Sequence, residues 1–321
     1  MNDEGLKLLD IKGIGEKTAK KLERAGVKTP KQLAMMTASE LVSRTDLSEG
    51  EALSLIEAAR VELEKTLRIG VMRASEYYEA LKRQPRLTTG VKGLDKILDG
   101  GLETEAITEF VGPYGSGKTQ LMHQLCVTVQ LTENRGGLNG SALYFDTERG
   151  FTPWKIEAIA KRFNVEPRVA LENVYYVNVV DADHQVALLD TAEEYVREHG
   201  VKLIVVDSFT NHFRKQYLGR DNLVLRQQKI NKYIGFLLRL AITYNVAVAV
   251  TNQVVASPDP RMPGDRAVGG HIVGHGTTHR IWLSRAKGSR RLARVIDSPR
   301  LPEAEALIEI SDSGLYDAEA V

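Results

Sequence analysis

Gly112-Pro113-Tyr114-Gly115-Ser116-Gly117-Lys118-Thr119 is the stretch that decides the fold. It satisfies G-x-x-x-x-G-K-[ST] in full, and its flanks supply the strand–loop–helix context that the pattern requires. Residues 107–111 before it read as an apolar strand, and residues 120–131, opening with Gln120, read as a helix. Glycines in such a turn let backbone N–H groups converge on phosphate oxygens at a helix N-terminus. Lys118 then supplies a point charge for the β and γ phosphates, and Thr119 offers a hydroxyl to Mg2+.

Working outward, short β-rich runs alternate with helical stretches at 142–145, 174–180, 203–206 and 246–251. The runs at 203–206 and 246–251 are almost wholly apolar, as strands buried on both faces are. The alternation predicts an α/β core with a mostly parallel central sheet. Hairpin-like runs at 281–283, 293–296 and 306–310 close it. Ligands of open α/β sheets collect at the carboxyl ends of the strands. Asp207 ends one strand and is a candidate second ligand to Mg2+. Asp146-Thr147-Glu148 ends another, with Glu148 as candidate base for an attacking water. Asn252-Gln253 ends a third, where an amide could meet the γ-phosphate. Two stretches, 214–226 and 255–279, read as long loops, and loops of that length are usually functional.

Residues 1–60 read as a small helical bundle containing the Gly13-Ile14-Gly15 turn, residues 61–84 as a helical linker, and residues 85–321 as the core domain. The 321 residues are 43% hydrophobic and 26% charged, which excludes wholesale disorder. No run reaches the roughly 18 apolar residues of a membrane helix. The single cysteine, Cys126, can form no internal disulfide, so a reducing cytoplasmic setting is expected. A net charge of +1 excludes an all-over basic coat. That neutrality hides a contrast: residues 280–300 carry seven Lys/Arg against Asp297, and residues 301–321 carry six acids and no Lys or Arg. Such runs read either as a solvated turn and tail or as a patch for an anionic polymer. His271, His275 and His279 stand four apart, but the glycines among them argue against a three-histidine metal face. His123, His184, His199 and His212 form no readable arrangement.

Taken together, Gly112–Gln120, Tyr144–Glu148, Leu203–Ser208 with Gly219-Arg220, Thr251–Val254 through Val268-Gly269-Gly270-His271, and Arg294–Glu303 resemble the RecA-superfamily strand-exchange proteins, specifically the archaeal RadA recombinases and their eukaryotic orthologues. The resemblance covers essentially the whole chain. It implies a RecA-like P-loop ATPase core preceded by a helix-hairpin-helix domain whose Gly13 and Gly15 turn contacts DNA backbone. It implies a DNA-dependent ATPase using ATP and Mg2+, with K+ as a further candidate ion. Such a protein forms helical filaments, or rings, on single-stranded DNA, pairs them with homologous duplex DNA and exchanges strands. Recombination mediators would be partners, and the setting would be archaeal and nucleoid-associated.

By position, Lys118 and Glu148 become catalytic, and Gln253 senses the γ-phosphate. His275 couples the nucleotide to DNA, and Asp297, Pro299 and Pro302 cap the neighbouring subunit's ATP. Arg214, Arg220 and Arg226 belong to a first DNA loop, and Gly269 and Gly270 to a second. Two departures stand out. The polymerisation motif reads Val71-Met72-Arg73-Ala74 where the family begins with Phe; the smaller side chain loses about 1–2 kcal/mol of apolar burial. Lys155 stands where the family has an arginine on the base, and an ammonium stacks less well than a planar guanidinium. A recombinase paralogue acting as mediator is the main alternative. A hexameric RecA-like motor or a P-loop kinase is the lesser one.

Overall fold

The structure, a computed structural model, describes residues 6–67, 70–219, 221–256, 265–268 and 270–318. It divides into two compact units, Met1–Arg83 and Gln84–Val321. In the first, helices run over Glu16–Arg24, Pro30–Met35, Ala38–Arg44 and Glu49–Leu67. Their starts are written in the sequence as reciprocal caps. The Thr29 hydroxyl accepts the Gln32 N–H at 3.2 Å while Gln32 Oε1 accepts the Thr29 N–H at 3.1 Å. Thr37 with Glu40 and Ser48 with Glu51 repeat the device. The first helix stops at Gly26, whose φ of +85° suits glycine, and the Val27 N–H turns back to the Leu22 carbonyl at 2.9 Å. Leu22, Leu33, Leu41, Ile56, Ala59 and Leu63 are buried together as this unit's own core.

The second unit has the strands β1 (Arg86–Leu87), β2 (Leu102–Glu103), β3 (Ala106–Val111), β4 (Ser141–Asp146), β5 (Val174–Asn178), β6 (Val201–Asp207), β7 (Ala247–Asn252), β8 (Val254–Ala256), β9 (Asp265–Ala267), β10 (His279–Arg285), β11 (Arg290–Asp297), β12 (Glu305–Ser311) and β13 (Gly314–Asp317). Nine form one sheet in the order β13-β12-β11-β10-β3-β7-β6-β4-β5. From β10 to β5 every neighbour is parallel; β10 to β13 is an antiparallel meander. The mixed α/β class and the mostly parallel sheet are as the sequence predicts.

All six residues of β3, β4 and β7 are buried. Alternate residues serve opposite faces: Tyr144, Leu203, Val205 and Ala249 join one core, while Leu143, Ile204, Val206 and Val250 join the other. The helices Lys118–Thr128 and Pro153–Arg162 cover the first face; Ala182–Glu198 and Leu223–Tyr244 cover the second. Cys126 is fully buried in the first core, and burial pushes its thiol well above the usual range.

The predicted loops are shorter than expected. Arg214 lies in the helix Asn211–Gln216 and Arg226 in Leu223–Tyr244, which leaves residues 217–222 between them. The stretch 255–279 holds β9 and the helix Gly270–Gly276, and β8 and β9 pair antiparallel. Gly274 and Gly276 do not prevent that helix. His275 is exposed on its last turn, while His279 opens β10, so the three histidines share no helix face.

Candidate nucleotide site and DNA-facing elements

Register brings the predicted chemistry together. Val111 stands opposite Asn252, Phe110 opposite Thr251, and Asp146 opposite Asp207, so the carboxyl ends of β3, β7, β6 and β4 lie side by side. A cavity of about 850 Å3 opens there. Pro113, Tyr114, Gly115, Gly117, Lys118, Thr119 and Gln120 line it from the phosphate loop. Glu148, Lys155, Asp207 and Gln253 line it from the other elements.

Sterics explain the loop's glycines. Gly117 has a φ of +97°, and a Cβ there would meet Ile310 Cδ1 at 2.7 Å. A Cβ on Gly112 would meet the Leu283 carbonyl oxygen at 2.0 Å. Lys118 Nζ donates to the carbonyls of Gly112 at 2.8 Å and Pro113 at 3.0 Å. Burial lowers its pKa, opposed by the charges of Asp207 and Glu148.

Asp207 is held from both sides. Tyr144 OH donates to Oδ2 at 2.8 Å, and Thr251 Oγ1 donates to Oδ1. Glu148 accepts from Gln253 Nε2 at 2.6 Å. Its side chain is open to the cleft, yet shielding of the carboxyl and then the Asp207 charge push its pKa above the usual range. Asp146 has a role that the sequence did not reveal. It accepts the N–H groups of Glu148, Gly150 and Phe151 at 3.0–3.1 Å and so folds the turn that carries Glu148. Asn252, read together with Gln253, faces inward instead. It donates to buried Glu109 and to the Val268 carbonyl, both at 2.7 Å, and accepts from Thr210. Only Gln253 of the pair lines the cavity.

Other walls were not legible. Arg291, Ile310, Ser311 and Asp312 come from the distant meander. Lys155 Nζ donates to the Asp312 carbonyl at 2.8 Å and reaches the Ser311 carbonyl at 3.4 Å. Asp297, Pro299 and Pro302 are exposed at and beyond the end of β11 and do not line this cavity. Arg220 and Gly269 lie outside the described residues. Gly270 begins its helix, Gly13 takes a φ of +91°, and Gly15 caps the helix Glu16–Arg24. Val71 is 101% exposed, and Ala74 starts an exposed helix.

The residues fit a magnesium nucleotide. Thr119 and Asp207 are hard oxygen donors on one wall. Gln120 Oε1 is buried without a partner among the described residues. Residues 82–318 match the Rad51 family model. The chain belongs to the Rad51 family. Residues 5–61 match the SAM-like helix-hairpin-helix tandem. Proteins of the Rad51 family are DNA-dependent ATPases of recombination and repair that bind ATP with Mg2+, bind DNA and assemble filaments. Among the described residues, no helix is long and apolar enough to cross a membrane.

Part of the charge contrast resolves into ion pairs within this Rad51-family chain. Register pairs Arg294 with Glu305 and Arg290 with Glu309 across β11 and β12, and the Arg294–Glu305 bridge is 2.5 Å. Arg280 donates to buried Glu109 at 2.6 Å, and Arg300 bridges buried Glu103. Arg280 and Arg300 are thus spent on buried carboxylates, while the Arg294–Glu305 pair lies at the surface. A basic cluster lies in the first unit, where Lys17, Lys20, Lys21, Arg24 and Arg44 line a groove of about 690 Å3. Within it Lys21 bridges Asp46 at 2.8 Å.

Proposed function

We propose that this protein is a RadA-like recombinase: a DNA-dependent ATPase that forms filaments on single-stranded DNA and catalyses homologous pairing and strand exchange. The observation that carries the reading is the convergence of the phosphate loop, Asp207, Glu148 and Gln253 on one cavity. Bound there, Mg2+ would be held by Thr119 and Asp207 and would neutralise charge developing between the β and γ phosphates. Lys118 would leave its loop carbonyls for phosphate oxygens. Glu148 would take the proton of the attacking water, and Gln253, already bonded to it, would orient that carboxylate against the γ-phosphate. Lys155 would lie beside the base.

Residues 61–84 would link the two domains, with Val71 and Ala74 docking on the next subunit. There Asp297, Pro299 and Pro302 would cover the neighbour's nucleotide, and His275 would transmit its state. Arg214, Arg220 and Arg226 with Gly269 and Gly270 would take single-stranded DNA. Gly13, Gly15 and the basic groove would take duplex phosphates.

Single-stranded DNA should stimulate ATP hydrolysis severalfold, and Lys118→Ala should abolish it. Electron microscopy should show filaments, and a strand-exchange assay should show joint molecules. Hydrolysis indifferent to DNA would overturn the reading. The exposed valine at position 71 favours a second one, a mediator paralogue of weak self-association. DNA binding without filaments or joint molecules would support it. Replacing K+ by Na+ in the same assay tests the monovalent ion.

A further inference from the structure

His123 sits one turn into the helix Lys118–Thr128 and is fully buried. Both ring nitrogens are engaged. Nε2 accepts the Thr152 N–H at 2.9 Å, and Nδ1 lies 2.7 Å from the Thr119 carbonyl. A backbone N–H can only donate, so Nε2 is the acceptor and Nδ1 carries the hydrogen, which it gives to Thr119. One imidazole therefore bridges the backbone of Thr119, at the end of the phosphate loop, and the turn that carries Glu148. The ring is held flat between neighbours: its centroid is 5.8 Å from Tyr144 and 5.4 Å from Phe151. Those rings belong to the same support, since Tyr144 bonds Asp207 and Phe151 stacks 5.0 Å from Tyr176, whose hydroxyl reaches Asp146 at 3.4 Å. The acids of the cavity stand on this aromatic floor, and His123 is its one member bonded both to the phosphate-loop helix and to the Glu148 turn.

We propose that His123 is a positioning residue that fixes the Glu148 turn against the phosphate-loop helix, and that the operative bond is the one from Thr152 to Nε2. The inference rests on the ATPase reading above. It concerns a distance between two elements rather than a group that touches nucleotide, so it should appear in turnover rather than in affinity. A misplaced general base costs rate steeply, because catalysis depends on near-attack geometry.

Two variants separate the possibilities. His123→Phe keeps the ring and its stacking but loses both bonds. His123→Gln places an amide oxygen near the position of Nε2 and keeps the acceptor. Full-length protein on single-stranded DNA should show kcat reduced roughly tenfold for His123→Phe with KM for ATP within about twofold, and kcat within about threefold of the parent for His123→Gln, one lost bond in a reacting geometry being worth about a factor of ten. Amide hydrogen exchange, read without nucleotide, should quicken over residues 148–155 in His123→Phe and not in His123→Gln. Equal kcat in parent and His123→Phe overturns the proposal. So does an equal loss in both variants accompanied by weaker binding of a fluorescent ADP analogue, which is the mark of a plain core residue. If the parent itself does not hydrolyse ATP, the functional reading falls, while the exchange pattern still tests the bridge.

Discussion

Glu148 shows how one carboxylate answers to two demands. Its folded pKa lies above the ordinary value, so the native state holds the proton more tightly than the unfolded chain does. Asp207 pushes in that direction, while Lys118, Lys215 and a bond from Ser208 push back. In its proposed role as base it must be ionised. The acid limb of the pH–rate profile for kcat should therefore sit above the ordinary Glu value of about 4.3, with activity lost as pH falls through it. Stability runs the other way: the ionised carboxyl is a cost that grows as pH rises through the same window. Glu148→Gln should cut hydrolysis by about 10^2–10^4-fold while raising the thermal midpoint at neutral pH. An unchanged or lower midpoint would contradict this. The sequence placed Glu148 at the site because a strand end after a phosphate loop is a strong cue. It could not show that Asp146 builds the turn, since three backbone N–H groups folding onto one carboxylate leave no mark in residue order. Asp146→Ala should lower kcat with little change in fold, as far-UV circular dichroism would show.

At the level of elements, the strands were legible and the helices within 214–226 and 255–279 were not. Strands β3, β4, β6 and β7 are apolar runs bounded by polar ends, which the eye finds easily. The stretch 214–226 reads as a loop because Gly219 and closely spaced charges, Arg214, Lys215, Arg220, Asp221 and Arg226, break any apolar period. Helices nonetheless extend into it from both ends, anchored in the core by Phe213 and Ile230 and tied together by a polar clamp. Asp183 accepts from Gln216 Nε2 at 2.6 Å, Tyr217 OH at 2.9 Å and Lys229 Nζ at 2.6 Å, and Arg226 reaches the Tyr217 carbonyl at 3.3 Å. This clamp shortens the segment free to move. Arg226→Ala should weaken single-stranded DNA binding and reduce the salt slope, d log K/d log[salt], by about 0.7 in magnitude, as the loss of one phosphate contact would. An unaltered slope would place Arg226 in the clamp alone.

On the scale of the molecule, each unit has its own core, and the first is small. Its core gathers described residues between Leu6 and Leu63 around Leu22, Leu33, Leu41 and Ile56, all fully buried. Leu22→Ala should destabilise that unit by about 2–5 kcal/mol, seen as an early separate transition in calorimetry, with the midpoint of residues 84–321 unmoved. In the groove of this unit, Lys17→Glu with Arg24→Glu should weaken duplex binding and leave DNA-free hydrolysis intact. The near-neutral composition gave no hint of that groove. Nor could it show that Glu305 of the acidic run bridges Arg294 of β11, because strand register lies outside what a charge count can see.

The buried thiol of Cys126 gives this chain a practical property. With no other cysteine, the native protein should react with Ellman's reagent only as fast as residues 84–321 open, so the labelling rate becomes a clock for global unfolding of the core. It also leaves a blank surface for probes. A cysteine placed at exposed Leu218 would be the sole fast-reacting thiol, and a dye there would report directly on DNA arriving beside the clamp.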